Sequence, residues 1–483
     1  YDFDLTKQGI TVIFASSGYG KSTILQTLAL NLSKVNTPEQ VQLNLLDFGN
    51  NGLLPLKDLP HVADIVTLEE EEKLQKMLNG IAETLAVRKK QFKEAGVASL
   101  EQYESKTKAA LPIIVNLLDN YDGLSPNDKR KDGIDNLLLQ VLRDGASLGI
   151  YLVFTASRTG TVRMNMMSAI ATKMVLYLNE ESELTTIMGR EKVAQVAKVG
   201  RGQIMVDAPR AIQFYLPVAG SNSTEVLENI EKEVSALNEN WSGKRPAKIP
   251  MVPEELSFEK FEKYTLGKVK NRMYLGLNKV DSRPESIDLF VGNSIGLFPA
   301  NKKQLHLLAP FVFKEILRQD KQIILIDALK SLEQFENDVS IYISKEKVTN
   351  QLADIKEAIT LLIESKELEN QSIIILNGLA EILSKLGYQQ AQFVELIEQN
   401  SEQKQFIFMD YVTNVGNNFA MPTVVTRENV QVILFGGELG SQHFIENLPA
   451  AVKNEKVNPN VLHCVKDEEL SHIVIPIEKE VES

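Results

Sequence analysis

The 483-residue sequence is 43% hydrophobic and 24% charged, with 27 glycines and 17 prolines, a composition that excludes disorder and leaves enough apolar material for two or three folded units. A single cysteine, Cys464, excludes an intramolecular disulfide and fits a reducing compartment. The formal net charge of −12 gives no general attraction to nucleic-acid phosphates or acidic lipids, and no apolar run approaches the roughly 18–20 residues of a membrane helix.

Chain order begins at Tyr1 rather than Met, which suggests a piece of a longer protein. Thr11–Ala15 is a β-branched and apolar run that predicts a buried strand. Behind it, Ile24, Leu25, Leu28, Ala29 and Leu32 recur at helical spacing. Val41–Asp47 predicts a second strand, ending on a carboxylate. Leu74, Met77, Leu78, Ile81 and Leu85 mark an amphipathic helix, and the acidic run Glu69–Glu72 before them suits the positive end of its dipole. Pro112–Asp119 and Ile150–Thr155 are further buried strands. Short strands alternating with helices predict an α/β fold on a parallel sheet.

The pattern breaks near residue 218. Val226, Leu227, Ile230, Val234 and Leu237 form a helical stripe, and prolines 246, 250 and 253 predict a semi-rigid linker. Phe258, Phe261 and Tyr264, at helical spacing, predict a short helix packed on the unit that follows. That unit repeats the earlier order of events. Strand-like Ile295–Phe298 leads into a helix through Leu305, Leu308, Phe311, Val312 and Ile316. Gln322–Asp327, Ser372–Leu376 and Phe406–Met409 then match the strands ending near 47, 119 and 155. A tandem duplication of one α/β unit is the simplest reading, with modules at 1–220 and 266–483 joined by a helix and linker at 221–265.

Chemistry concentrates between the first strand and the first helix, at Ala15, Ser16, Ser17, Gly18, Tyr19, Gly20, Lys21, Ser22 and Thr23. Glycines there let backbone N–H groups curl around phosphates, which a Cβ would obstruct. The lysine bridges the β- and γ-phosphates, the serine hydroxyl ligates Mg²⁺, and the helix start adds free N–H groups. Ala15 stands where the usual pattern opens with glycine. The expected ligand is ATP with Mg²⁺, the metal held by Ser22 and Asp119. Asp119 ends an apolar strand, as the partner carboxylate of a phosphate loop does. Asn120 stands where hydrolytic relatives place a glutamate, and general-base help is worth about 10²–10⁴-fold. ATP binding with slow or conditional hydrolysis is therefore expected. Asp122 is a nearby substitute, Ser157 a candidate γ-phosphate sensor, and Arg158, with Arg163 and Arg201, a candidate arginine finger.

The second unit has lost these groups. Phe298-Pro299-Ala300-Asn301-Lys302-Lys303-Gln304 replaces the phosphate loop, and Asn377-Gly378 replaces the acidic pair. Asp327 and Glu381 are expected to be structural. The five histidines, 61, 306, 443, 463 and 472, show no metal-ligand spacing.

The blocks ASSGYGKST (15–23), LLDNYDGL (117–124), SLGIYLVFTASR (147–158) and GRGQIMV (200–206) resemble the FtsK/SpoIIIE translocase ATPases. More narrowly, RKKQFKEAGVASLEQYES (88–105), WSGKRPAKIPMVPEEL (241–256) and ILFGGELGSQHF (433–444) resemble the membrane-anchored ATPase of firmicute type VII secretion systems. The resemblance implies two tandem RecA-like P-loop NTPase modules, the second degenerate. It also implies a cytoplasmic location beneath a membrane anchor, a homo-hexamer in the full motor, and other subunits of the secretion machinery as partners. Implied cargo is secreted WXG100-type proteins and larger toxins, with the terminal module receiving their export signals. No nucleic acid is expected, although the wider family includes DNA translocases.

Overall fold

The computed structural model describes residues 4–477 apart from 206, 268, 290, 291, 293, 347–371, 386–389, 403, 417–419, 446, 447, 449–452 and 454–457. Val206, which ends the GRGQIMV block, thus lies outside the described residues. The chain divides into two compact units, Tyr1–Ile249 and Pro250–Ser483. The helix Ser223–Glu239 belongs to the first and the short helix Phe258–Tyr264 to the second.

Eight strands form the sheet of the first unit: β1 Thr11–Phe14, β2 Val41–Asp47, β3 Val62–Thr67, β4 Ile113–Asp119, β5 Ile150–Ala156, β6 Thr172–Val175, β7 Arg201–Met205 and β8 Pro209–Gln213. Their spatial order is β3-β2-β4-β5-β1-β6-β7-β8. The pairs from β3 to β6 are parallel, and β6–β7–β8 continue antiparallel. Because side chains alternate across a strand, each central strand feeds two cores. Val12, Phe14, Leu118, Leu152 and Phe154 face the helix Glu71–Ala95 on one side. Ile13, Leu43, Val115, Leu117 and Val153 face the helices Lys21–Val35 and Ser223–Glu239 on the other. Both faces are apolar, which is why these strands read as unbroken hydrophobic runs.

The second unit contains β9 Arg272–Asn278, β10 Pro284–Asp288, β11 Ile295–Phe298, β12 Ile323–Asp327, β13 Ile341–Ser344, β14 Ser372–Asn377, β15 Lys404–Met409, β16 Val432–Phe435, β17 Val461–Lys466 and β18 Glu469–Val474. Their order is β10-β9-β18-β17-β16-β11-β15-β14-β12-β13. The stretch β13-β12-β14-β15-β11-β16 repeats β3-β2-β4-β5-β1-β6 strand for strand, so the duplication inferred from pattern is present in topology. Phe258 and Phe261 pack on Phe311, with ring centroids 5.5 and 5.6 Å apart. Tyr264, expected to join them, is exposed, at the last residue of the helix.

Register sets up the comparison that matters most. In the first unit β2 and β4 place Asp47 beside Asp119, both buried. The equivalent pair in the second unit is Asp327 beside Asn377. There the amide donates from Nδ2 to Asp327 Oδ1 at 2.6 Å, so a hydrogen bond stands where the first unit keeps two carboxylates together. Burial raises the Asp119 pKa and the Asp47 charge raises it further, against the hydrogen bonds of Ser22 and Thr155. A carboxyl whose folded pKa lies above its unfolded one contributes stability that is complete below the unfolded value and lost as pH rises through the folded value. Two substitutions test this contrast. Asn377→Asp places a second charge against Asp327, costs about 3 kcal/mol, and is expected to speed amide hydrogen exchange in β12 and β14. Asp119→Asn is expected to raise the melting temperature of the metal-free chain at neutral pH by about 2–4 °C. That gain fades as the pH falls into the ordinary carboxylate range.

Candidate functional site

Between β1 and the helix Lys21–Val35 the backbone turns twice through the left-handed region, at Gly18 (φ 84°) and Gly20 (φ 100°). A Cβ at Gly18 would meet nothing within 4 Å, so it is backbone conformation rather than crowding that calls for glycine here. The rest of the loop is pinned by its neighbours. Ala15 N donates to Ala156 O and Ser16 N to Tyr177 O, while Ser16 Oγ accepts from Asn179 N. The Tyr19 ring lies against Tyr177 with centroids 4.6 Å apart. Ser17 is exposed at the tip and Thr23 is half-buried in the first helical turn. The opening position, Ala15, is fully buried, and its carbonyl receives the Lys21 ammonium at 2.7 Å.

Lys21 Nζ also donates to Ser157 Oγ at 2.9 Å. This ammonium is held in place with one of its three protons uncommitted. Burial lowers its pKa, while the carboxylates of Asp122 and Asp119 pull it back up. Ser22 Oγ donates to Asp119 Oδ2, and Thr155 Oγ1 donates to Asp119 Oδ1 at 2.6 Å. The serine and aspartate named from sequence therefore meet at one point, although 97 residues separate them. Two hard oxygen donors at a helix start fit a small divalent cation that keeps much of its water, and the loop's free N–H groups fit the phosphates such a cation accompanies.

Asn120 takes a left-handed conformation with φ 58°. Its backbone N donates to Thr155 Oγ1 at 2.7 Å, and its side-chain Nδ2 reaches the Phe48 carbonyl at 3.4 Å. The amide is thus turned toward the loop after β2. Asp122 is also engaged: Oδ2 accepts from Ser157 N and Oδ1 from Thr161 Oγ1 at 2.8 Å. Its carboxylate braces the turn that presents Ser157 to Lys21. Of the three arginines, Arg163 is paired with Asp132 and Asp135. Arg158 is exposed just past β5, and Arg201 is half-buried at the start of β7.

Four contributors, Asp47, Gly52, Gln26 and Thr155, escaped sequence analysis. Asp47 accepts from Gly49 N and Leu53 N and so shapes the loop after β2. That loop passes so close to the site that a Cβ at Gly52 would lie 2.8 Å from Ser22 Cβ and 3.0 Å from Asp119 Oδ2. Gln26 Nε2 holds it there through the Gly52 carbonyl at 2.7 Å. Thr155 ties Asp119 to the Asn120 backbone. A strand that ends on a carboxylate and a glycine soon after it were visible in sequence, but their proximity to Ser22 follows only from the β2–β4 register.

In the second unit the equivalent loop has no positive-φ residue from 299 to 303. Its space is taken by Gln304, which is buried. Gln304 Oε1 accepts from Ala300 N at 2.7 Å, and its Nε2 donates to Pro459 O at 3.0 Å. The Ala300 N–H of the loop is thus answered from within the chain. Asp327 accepts from Leu332 N as well as Asn377, and Glu381 lies 3.8 Å from Lys345. His463 and His472 meet Nδ1 to Nδ1 at 2.9 Å, and no metal-ligand cluster occurs among the described residues.

Residues 2–222 match the FtsK/SpoIIIE family. The type VII secretion system protein EssC of Staphylococcus aureus (strain MRSA252) is 28% identical over 384 residues, 78% of this chain and 26% of that relative. The solved EssC ATPases 2 and 3 from Geobacillus thermodenitrificans align over 99% of this chain and 93% of that one, with TM-score 0.82 and 26% identity. Thermomonospora curvata EccC ATPases 2 and 3, solved in complex with a signal sequence peptide, share the fold at TM-score 0.61 and 20% identity, over 99% of this chain and 90% of that one. The chain spans about a quarter of the length of the curated relatives it matches, and no described helix is long and apolar enough to cross a membrane. The chain is thus a tandem pair of modules with the fold of the EssC ATPases 2 and 3, the first matching the FtsK/SpoIIIE family and the second a degenerate copy.

Proposed function

We propose that this chain is a cytoplasmic segment of a type VII secretion motor, binding Mg·ATP in its first unit and docking exported proteins of the WXG100 class through its second. The observation that carries the reading is the convergence of Lys21, Ser22, Asp119 and Ser157 at the mouth of a loop whose two glycines are already in phosphate-cradling conformation. Bound Mg²⁺ would supply charge neutralisation across the β- and γ-phosphates. Ser22 and Asp119 would hold it, directly or through water, and Lys21 would transfer its hydrogen bonds from Ala15 and Ser157 to phosphate oxygens. Homo-hexamer assembly and the other secretion subunits belong to the full-length motor.

A second reading, in which ATP binding is chiefly regulatory, draws on Asn120. A neutral amide turned toward Phe48 accepts no proton from water, and Asp122 is occupied by Ser157 and Thr161. Slow turnover by the isolated chain follows from either view. The docking role of the second unit is supported by a retained fold whose loop lacks the positive-φ glycines and is bonded at Ala300 by Gln304, and by the peptide complex of a protein sharing that fold.

Phosphate release tests the first part. Turnover in the isolated chain is expected to be slow, and Asn120→Glu to raise it by about 10²-fold, the low end of general-base help. Lys21→Ala is expected to abolish nucleotide binding with the fold intact, while Lys303→Ala leaves binding unchanged. Undiminished ATP affinity in the Lys21 variant would refute the assignment. For the second part, a labelled export-signal peptide of a WXG100-class protein is expected to bind the whole chain, and equally the Lys21→Ala variant. Loss of peptide binding in that variant would move docking to the first unit.

A further inference from the structure

We propose that the open end of the β7–β8 hairpin is the seat for the nucleotide base, with Val199 and Tyr215 forming the apolar face on which a purine stacks. The inference rests on the reading that the phosphate loop holds a nucleoside triphosphate. Sheet order gives that triphosphate a direction. Asp119 and Ser157 follow β4 and β5, which lie on one side of β1, and β6, β7 and β8 lie on the other. With the terminal phosphate at Lys21, between Asp119 and Ser157, the α-phosphate and everything beyond it leave toward the hairpin.

The loop touches the hairpin on that side. Gly200 N donates to Tyr19 O at 3.2 Å, and Val199 Cγ1 lies 3.6 Å from the place a Cβ would occupy at Gly20. One turn along the helix from Thr23, Thr27 Oγ1 is 3.2 Å from Tyr215 O. Register then decides which side chains face out. Arg201 pairs with Gln213 and Phe214 N donates to Gly200 O, so the next pair toward the open end is Val199 with Tyr215. Phe214 packs into the core, and alternation sends its neighbours to the opposite face. Tyr215 is 84% exposed and Val199 58%. Large apolar side chains gathered in water at the rim of a binding loop mark a surface that a ligand covers, and an aromatic ring accepts the face of any base.

The experiment compares Mg·ATP with inorganic tripolyphosphate, which has the phosphates and no base, on the whole chain and on Tyr215→Ala, Tyr215→Trp and Lys21→Ala. Tyr215→Ala is expected to weaken ATP about tenfold, within the roughly 5- to 100-fold span of a lost base–aromatic stack. Tripolyphosphate affinity stays unchanged, and Tyr215→Trp restores ATP binding. Equal ATP affinity in Tyr215→Ala would overturn the base seat while leaving the phosphate site standing. Parallel loss of both ligands would overturn it too, by showing damage to the loop. Unchanged affinity with altered sedimentation of the ATP-loaded chain would assign the face to a second copy of the protein instead. A parent chain that binds neither ligand would refute the nucleotide reading as well as this one.

Discussion

Asp119 is the point on which the site depends. It is a buried carboxylate beside another buried carboxylate, held by the hydroxyls of Ser22 and Thr155. Removing a charge from water is costly without compensation, and here the compensation is two hydroxyl hydrogen bonds and the nearby Lys21 ammonium. Those same partners join the phosphate-loop helix, β4 and β5 at one place. An incoming cation would find a carboxylate whose charge the fold has left incompletely satisfied. Low intrinsic comfort of this carboxylate is therefore a property the fold keeps, since one amide nitrogen relieves it in the second unit.

The two units show what happens to a phosphate site when its chemistry is withdrawn. Strand order, the left-handed residue after β4 and β14, and the carboxylate at the end of β2 and β12 are all retained. Around them, Ala300 N and Asp327 find partners within the chain. Asn377 stands at the register position of Asp119 and bonds Asp327. Gln304 fills the loop from the helix side. The brace between the ends of β4 and β5 is inverted: in the first unit the carboxylate of Asp122, after β4, takes Ser157 N, and in the second the carboxylate of Asp410, after β15, takes Ala380 N at 2.8 Å. Such a unit needs no ligand to be complete, which leaves its surface available for another use.

Much of this was legible in the amino-acid pattern. Strands buried on both faces appear as continuous apolar runs, so β1, β2, β4, β5 and their counterparts were placed within a residue or two. GYGKST marks its own turn because positive φ demands glycine. The antiparallel strands β7–β10, β17 and β18 were not placed, because the antiparallel ends of the two sheets mix polar and apolar residues without a distinctive run. Long-range register was equally hidden. Nothing local says that Gly52 lies against Ser22, or that Asp122 is bound to the backbone of Ser157 rather than aimed at a water. The same limit applied to Arg163, which as a surface arginine was a candidate finger and in the fold is bound to Asp132 and Asp135.

The central claim is that the chain holds one nucleotide site, in the first unit, while the second has closed its own. Titration calorimetry of Mg·ATP into the whole chain measures this directly. One equivalent bound per chain is the result the account predicts. Two equivalents would show that Gln304 and Asn377 yield to a ligand after all, and none would show that the Ser22–Asp119 contact is a closed relic rather than a site in waiting.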